Sequence, residues 1–337
     1  MTDQGVACPQ CATAVADADR FCENCGATLS DVHLVAIPRS SGAADEPCTD
    51  CGNITFADEY CTVCGHRRAE PDRDQAQVAG IALITDRGRE HARNEDAAAA
   101  GTVAATEPNS IAVAVCDGVS TSGDAHKAAG AASVAGVNAM LAALARSRNT
   151  RSAVLAGLTD AANAAAAAGA ATSSMSPSCT YTAAVVVPTP EGTVEITVGN
   201  VGDSRAYWLP EPPAPPQQLT VDDSLAQELI TAGAAADSEA VQRGAHTLTR
   251  WLGADTEPQP WSESSVHTVT VVGPGALLLC SDGLWNYLPD AGDIARFCSG
   301  TDAAAAARAL TEHALDAGGA DNITVAVIPI GGRDESG

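Results

Sequence analysis

Eight cysteines fall before residue 65, in four Cys-x2-Cys pairs: Cys8/Cys11, Cys22/Cys25, Cys48/Cys51 and Cys61/Cys64. A Cys-x2-Cys turn brings two thiolates to one ion while the backbone between them offers N–H groups to the sulfurs. Two such turns close a tetrahedral shell of four thiolates. Ten residues separate the first two pairs and nine the last two, so CPQC…FCENCG and CTDC…YCTVCG read as two copies of one unit. Each unit has one aromatic before its second pair, Phe21 or Tyr60, and little else that is apolar. Metal must therefore supply much of its folding energy. Two structural Zn2+ ions are the expected occupants; rubredoxin-like iron and metal-free redox pairs are the others that this spacing allows. Structural disulfides are disfavoured, because the opening MTDQGVACPQ has neither the basic residues nor the apolar run of an export signal.

The paired units resemble the double zinc ribbons found at the ends of many bacterial signalling proteins. Their charge argues against nucleic acid as a partner. Residues 1–70 hold four arginines and no lysine against eleven acidic residues, and each four-thiolate zinc site adds negative charge. The whole chain carries 42 acidic against 18 basic residues, a net charge of −24, with Lys127 its single lysine. Phosphate backbones are bound by lysines and arginines that displace counterions. Docking of a protein partner, which the sequence does not name, or a purely structural cap is the expected role. The expected location is the cytoplasm, with no membrane contact: the longest apolar stretches are alanine-rich, as in AANAAAAAGAAT, and read as soluble helix.

Residues 1–66 are read as the double ribbon, 67–77 as a polar linker and 78–332 as one large domain. In the large domain, strands are expected at 111–116, 180–187, 194–199, 205–209, 266–272, 276–280 and 323–328, with another within VAGIALIT from Val78. Helices are expected near 125–147, 151–170, 224–234 and 303–317. Strands follow one another without helices from 180 to 209, which indicates antiparallel pairing and a layered α+β fold rather than a doubly wound parallel sheet.

Three carboxylates share a context. Asp117 ends IAVAVCDG, Asp282 ends ALLLCSDG, and Asp321 precedes ITVAVI, so each stands at the end of a buried strand. If the third strand runs antiparallel to the other two, all three meet at one sheet edge. Clustered carboxylates at the mouth of a core repel one another and lose solvation, so they need raised pKa values or bound cations. An all-oxygen ligand set, to which the Gly118 carbonyl would add, suits Mg2+ or Mn2+.

The segments NED at 94–96, VCDG at 115–118, GNVGDSRAY at 199–207, LLCSDGLW at 278–285 and DNITV at 321–325 resemble, in order and spacing, the signatures of metal-dependent Ser/Thr protein phosphatases of the phosphatase-2C (PPM) type. The resemblance runs from about Val78 to Ile330. It implies a four-layer α-β-β-α sandwich with a dinuclear Mg2+/Mn2+ centre between the sheets, in which water activated by both ions attacks phosphorus. Asp117 would bridge the ions, Asp282 and Asp321 would complete one shell, and Glu95 with the Gly118 carbonyl would serve the other. Asp96 would steady the water, Asp203 with Asp282 would hold a third, weaker ion, and Asn322 would brace the Asp321 turn. Phosphoproteins, the substrates of opposing Ser/Thr kinases, are the implied partners.

The chain departs from the family pattern at three places. His91 stands where the family has its phosphate-binding arginine, and Arg93 is the arginine two residues on; an extended backbone would put both on one face. Val119 follows Asp117-Gly118 where some members have a histidine proposed as general acid. Asn286 follows Trp285 where an acidic residue is usual. These departures motivate the second reading, a low-activity phosphatase-like adaptor that works through its ribbons.

Overall fold

The computed structural model describes residues 6–7, 13–15, 24–25, 32–38, 48, 51–57, 60–66, 73–103, 109–169 and 176–331. Short aliphatic runs rich in valine and isoleucine form most of its strands. In chain order the strands of its two large sheets are β1 (Val32–Ile37), β2 (Arg73–Val78), β3 (Ile81–Asp86), β4 (Ala97–Val103), β5 (Ser110–Cys116), β6 (Tyr181–Pro188), β7 (Val194–Val201), β8 (Arg205–Pro210), β9 (Gln217–Gln218), β10 (Val266–Val271), β11 (Gly275–Cys280) and β12 (Ile323–Ile330). Two six-stranded sheets result, ordered β10-β7-β6-β5-β4-β1 and β9-β8-β11-β12-β3-β2. Every pairing within them is antiparallel.

Apolar side chains fill three layers. Helices α1 (Ala125–Arg146) and α2 (Thr150–Ala168) pack on the outer face of the first sheet through small residues such as Ala128, Ala132 and Ala161. A second layer, including Val113, Val115, Ile196, Leu277 and Ile328, lies between the sheets. A third packs the other outer face against α5 (Asp282–Trp285), α6 (Ala291–Cys298) and α7 (Ala303–Ala317). The α-β-β-α sandwich is therefore present. Helix α1 is long and apolar enough by composition to cross a bilayer, yet over half of that stretch is buried; its apolar surface faces the core.

The structure differs from the sequence reading along one flank of the sandwich, where β4 and β1 end the first sheet and β2 ends the second. Strand β4 is AAAAGTV, a run whose intrinsic preference is helical, and it is a strand because it lies fully buried between β5 and β1. Strand β1 comes from between the two cysteine units and pairs with β4, so residues 32–37 join the large sandwich although they fall within the span read as ribbon. Strand β2 begins at Arg73, inside the stretch read as linker, and forms a hairpin with β3. The helix expected at 224–234 is α3 (Leu225–Thr231), and the short helices α4 (Glu239–Gly244), α5 and α6 are additional to those expected.

Candidate active site

The carboxylates converge where the chain passes between sheets. Glu95 and Asp96 lie on the loop from β3, in the second sheet, to β4 in the first. Asp203 lies in the three-residue turn from β7 to β8, which crosses back. Asp117 follows β5 of the first sheet, while Asp282 follows β11 and Asp321 precedes β12 of the second. The expectation of one shared sheet edge is thus corrected: Asp117 belongs to the opposite sheet, and the cluster spans the mouth of the sandwich. The mouth opens into a cleft of about 790 Å3, whose lining includes Asp117, Gly118, Asp203, Asp282 and Asp321.

Burial and mutual repulsion hold these groups away from ordinary carboxylate behaviour. Burial pushes Asp96 up to about 8, with the charges of Asp321 and Asp282 adding to the shift. Asp203 rises to about 7 through burial and the neighbouring Asp282. Asp117 is pushed well above the usual range by burial and by Asp96, Asp282 and Asp203. Asp321 and Glu95 are raised by burial too, Glu95 against the opposing pull of Arg93 and His91. Both carboxylate oxygens of Asp96 and the Oδ1 of Asp282 are buried with no hydrogen-bond partner among the described residues. Orphaned buried carboxylate oxygens are costly unless a cation or proton meets them. An all-oxygen donor set of this kind fits Mg2+ or Mn2+.

The backbone around the cluster is tightly fitted. A Cβ on Gly118 would lie 2.6 Å from the Glu95 carbonyl oxygen and 2.9 Å from Ala125 Cβ, so only glycine lets the Asp117 turn approach Glu95. Asn322 ties three segments together: its Oδ1 accepts from the Glu95 N–H at 2.7 Å, and its Nδ2 donates to the carbonyls of Arg87 at 2.7 Å and Arg93 at 3.1 Å. The Asn322 N–H in turn donates to Asp321 Oδ1 at 2.8 Å.

His91 and Arg93 do not act as one face. Residues 92–93 form a bend rather than an extended strand. His91 Nε2 stands 3.1 Å from Asp321 Oδ1, whereas Arg93 Nη1 stands 3.1 Å from His126 Nδ1 and 3.9 Å from Asp124. The histidine thus abuts a cluster carboxylate, and the arginine sits with the start of α1.

Sequence reasoning missed His246. It follows α4 in the segment between β9 and β10, which Asp222–Arg205 (2.7 Å) and Asp223–Arg250 (3.0 Å) ion pairs pin down. His246 lines the cleft, stacks on Trp285 at 6.1 Å between ring centres, and places Nδ1 3.6 Å from Asp282 Oδ2. Asn286 donates to the same Oδ2 at 3.3 Å. Trp285, whose indole N–H donates to the Asp203 carbonyl, also carries Arg205 3.7 Å above its ring. Nothing in the local sequence around His246 marks it, because its place depends on how the connecting segment folds back.

In the N-terminal region, Cys48, Cys51, Cys61 and Cys64 bring their sulfurs within 4.8 Å of one another, with Cys48–Cys64 and Cys51–Cys61 both at 3.5 Å. Backbone N–H groups of Cys64 and Val63 help lower the Cys61 thiol to about 6. Of the other unit, Cys25 is exposed in a turn, and Cys8, Cys11 and Cys22 lie outside the described residues. Cys116, Cys179, Cys280 and Cys298 are buried in the sandwich.

Comparison with known proteins gives a consistent picture. Residues 85–316 match the model of the family described as Protein phosphatase 2C. The serine/threonine phosphatase stp of Listeria innocua is 34% identical over 139 residues, which cover 40% of this chain and 51% of that protein. The chain thus spans about half the length of the curated relatives it matches. Among solved structures, the PPM Ser-Thr phosphatase MsPP from Mycobacterium smegmatis, in complex with cacodylate, is 28% identical with a TM-score of 0.53, over 75% of this chain and 99% of that one. The catalytic domain of the serine threonine protein phosphatase PstP, in complex with two manganese ions, is 26% identical with a TM-score of 0.54, over 73% and 96%.

Proposed function

Because the chain belongs to the protein phosphatase 2C family, we propose that it is a metal-dependent protein serine/threonine phosphatase acting on phosphoproteins made by opposing kinases. The observation that carries the reading is the set of carboxylates delivered from both sheets to one cleft, with buried oxygens that meet no hydrogen-bond donor among the described residues. Asp117, Asp282 and Asp321 would hold one divalent cation, Asp117 with Glu95 and the Gly118 carbonyl a second, and Asp203 with Asp282 a weaker third. Mg2+ or Mn2+ in these positions would supply positive charge for the phosphoryl oxygens and acidity for the attacking water.

The chain's own groups do the rest. Asp96, buried behind the cluster, accepts a hydrogen bond from the attacking water and aims its lone pair at phosphorus. Asn322 keeps Glu95 and Asp321 in register. Arg93, whose positive charge reaches Glu95, and His91, which abuts Asp321, would stand beside an entering phosphoryl group. Water forms the new P–O bond as the bond to the Ser or Thr oxygen breaks, and the proton that the water gives up balances the one that the leaving oxygen gains. No side chain needs to be phosphorylated along the way.

The N-terminal units are inferred to hold structural Zn2+. The thiol cluster at Cys48, Cys51, Cys61 and Cys64 supports this for the second unit, since four sulfurs at these separations frame a tetrahedral ion. The spacing of Cys8, Cys11, Cys22 and Cys25 extends the reading to the first.

The test is Mn2+-dependent phosphate release from a phosphothreonine peptide. The wild-type chain should turn over and Asp117→Asn should lose at least ~100-fold, because it removes a charge shared by two cation sites. Equal rates in both, or no release by the wild type with cation bound, would overturn the proposal.

A further inference from the structure

Strand β1 lies outside the region that the family model matches, yet it completes the first sheet. It pairs with β4 along its full length, from Val32 opposite Val103 to Ile37 opposite Ala98. Its side chains serve both layers: Leu34 and Ala36 pack toward α1, while Val35 and Ile37 pack into the layer between the sheets, where Ile37 is 1% exposed. Beside it, Leu34–Ala36 and Gln75–Gln77 of β2 line a common groove, so β1 and β2 close the flank of the sandwich.

Strand β4 needs such a neighbour. Without β1 it would be the edge of the sheet, and four alanines with a glycine are a poor edge: they bring little side-chain packing and prefer helix. Gly101 is shaped for the neighbour. A Cβ there would sit 2.6 Å from the His33 carbonyl oxygen and 2.7 Å from Leu141 Cδ1 of α1, so both β1 and α1 approach as closely as they do because residue 101 has no side chain. Strand β4 begins at Ala97, directly after Glu95 and Asp96.

We propose that Val32–Ile37 is a positioning element for the cation centre: by fixing the outer edge of β4 it fixes the Glu95–Asp96 lead-in. The strand is bordered by Cys25, seven residues before it, and Cys48, eleven after it, so the cysteine units are spliced around a working part of the catalytic sandwich rather than tethered beyond it. The inference rests on the proposed reading of Glu95 and Asp96 as serving bound cations.

The experiment compares the full-length wild type with Val35→Asp and the conservative Val35→Ile, by hydrogen exchange and by calorimetric Mn2+ titration. In Val35→Asp, amides of β4 should exchange at least 10-fold faster and Mn2+ should bind at least 5-fold more weakly, while β11 and β12 keep their protection. Val35→Ile should leave both at their wild-type values. Unchanged Mn2+ affinity with β4 opened would overturn the inference, as would β4 protection that survives loss of β1. If Val35→Asp opens β11 and β12 as well, Gly101→Ala is read by the same criteria. Absence of Mn2+ binding in the wild type would instead count against the proposed function.

Discussion

At the scale of single residues, the protein concentrates unfavourable charge at one point. Asp96 and Asp203 sit at about 8 and about 7 in the cation-free chain, against about 3.9 for an unfolded aspartate. Between those limits the folded chain keeps protons that the unfolded chain has released, so stability falls as pH rises from about 4 to about 8. Cations reverse the sign, since they bind the deprotonated carboxylates. A cation-stripped sample should lose melting temperature from pH 5 to pH 8, and saturating Mn2+ should raise it more at pH 8 than at pH 5. A melting temperature that climbs with pH in the stripped sample would contradict the burial of these carboxylates. Asn322 offers a second check. Asn322→Ala removes the hydrogen bonds that Asn322 makes to the Glu95 N–H and to the Arg87 and Arg93 carbonyls, a loss on the order of 3 kcal/mol. Asn322→Asp should be no better in thermal denaturation, because it keeps the acceptor for Glu95 but sets a carboxylate against the Arg87 and Arg93 carbonyls. An aspartate variant as stable as wild type would show that the amide donors are dispensable.

At the scale of elements, legibility followed the source of each element's stability. Strands such as Val194–Val201 and Gly275–Cys280 carry their own aliphatic signal and were readable to within two residues. The Asp-Gly endings of β5 and β11 were readable because a carboxylate after a buried run is anomalous by itself. Strand β4 was not: its alanines say helix, and only pairing on both sides makes them a strand. Strand β1 was hidden by its place between two metal-binding patterns, and His246 by its dependence on a folded-back connection. The cysteine units make their own prediction. Cys61→Ser should lower bound zinc from two ions per chain to one, measured by elemental analysis of the full-length protein, with β11 and β12 still protected from exchange. Zinc content unchanged by the substitution would remove Cys61 from the metal shell.

At the scale of the whole molecule, two sheets each contribute carboxylates that neither could assemble alone. The crossings at Glu95–Asp96 and at Asp203 explain why the cluster lies at the mouth of the sandwich, and why a single-sheet picture drawn from strand ends placed Asp117 wrongly. The net charge of −24 is spread over 42 acidic residues, so it weighs against nucleic acid without locating the site; what locates it is burial of the few that converge. The most direct test is anomalous diffraction at the manganese edge from crystals of the full-length chain grown with Mn2+. At least two peaks are expected in the cleft, within coordinating distance of Asp117 and shared among Asp282, Asp321 and Glu95. A cleft without manganese, at concentrations that support phosphate release, would contradict the account.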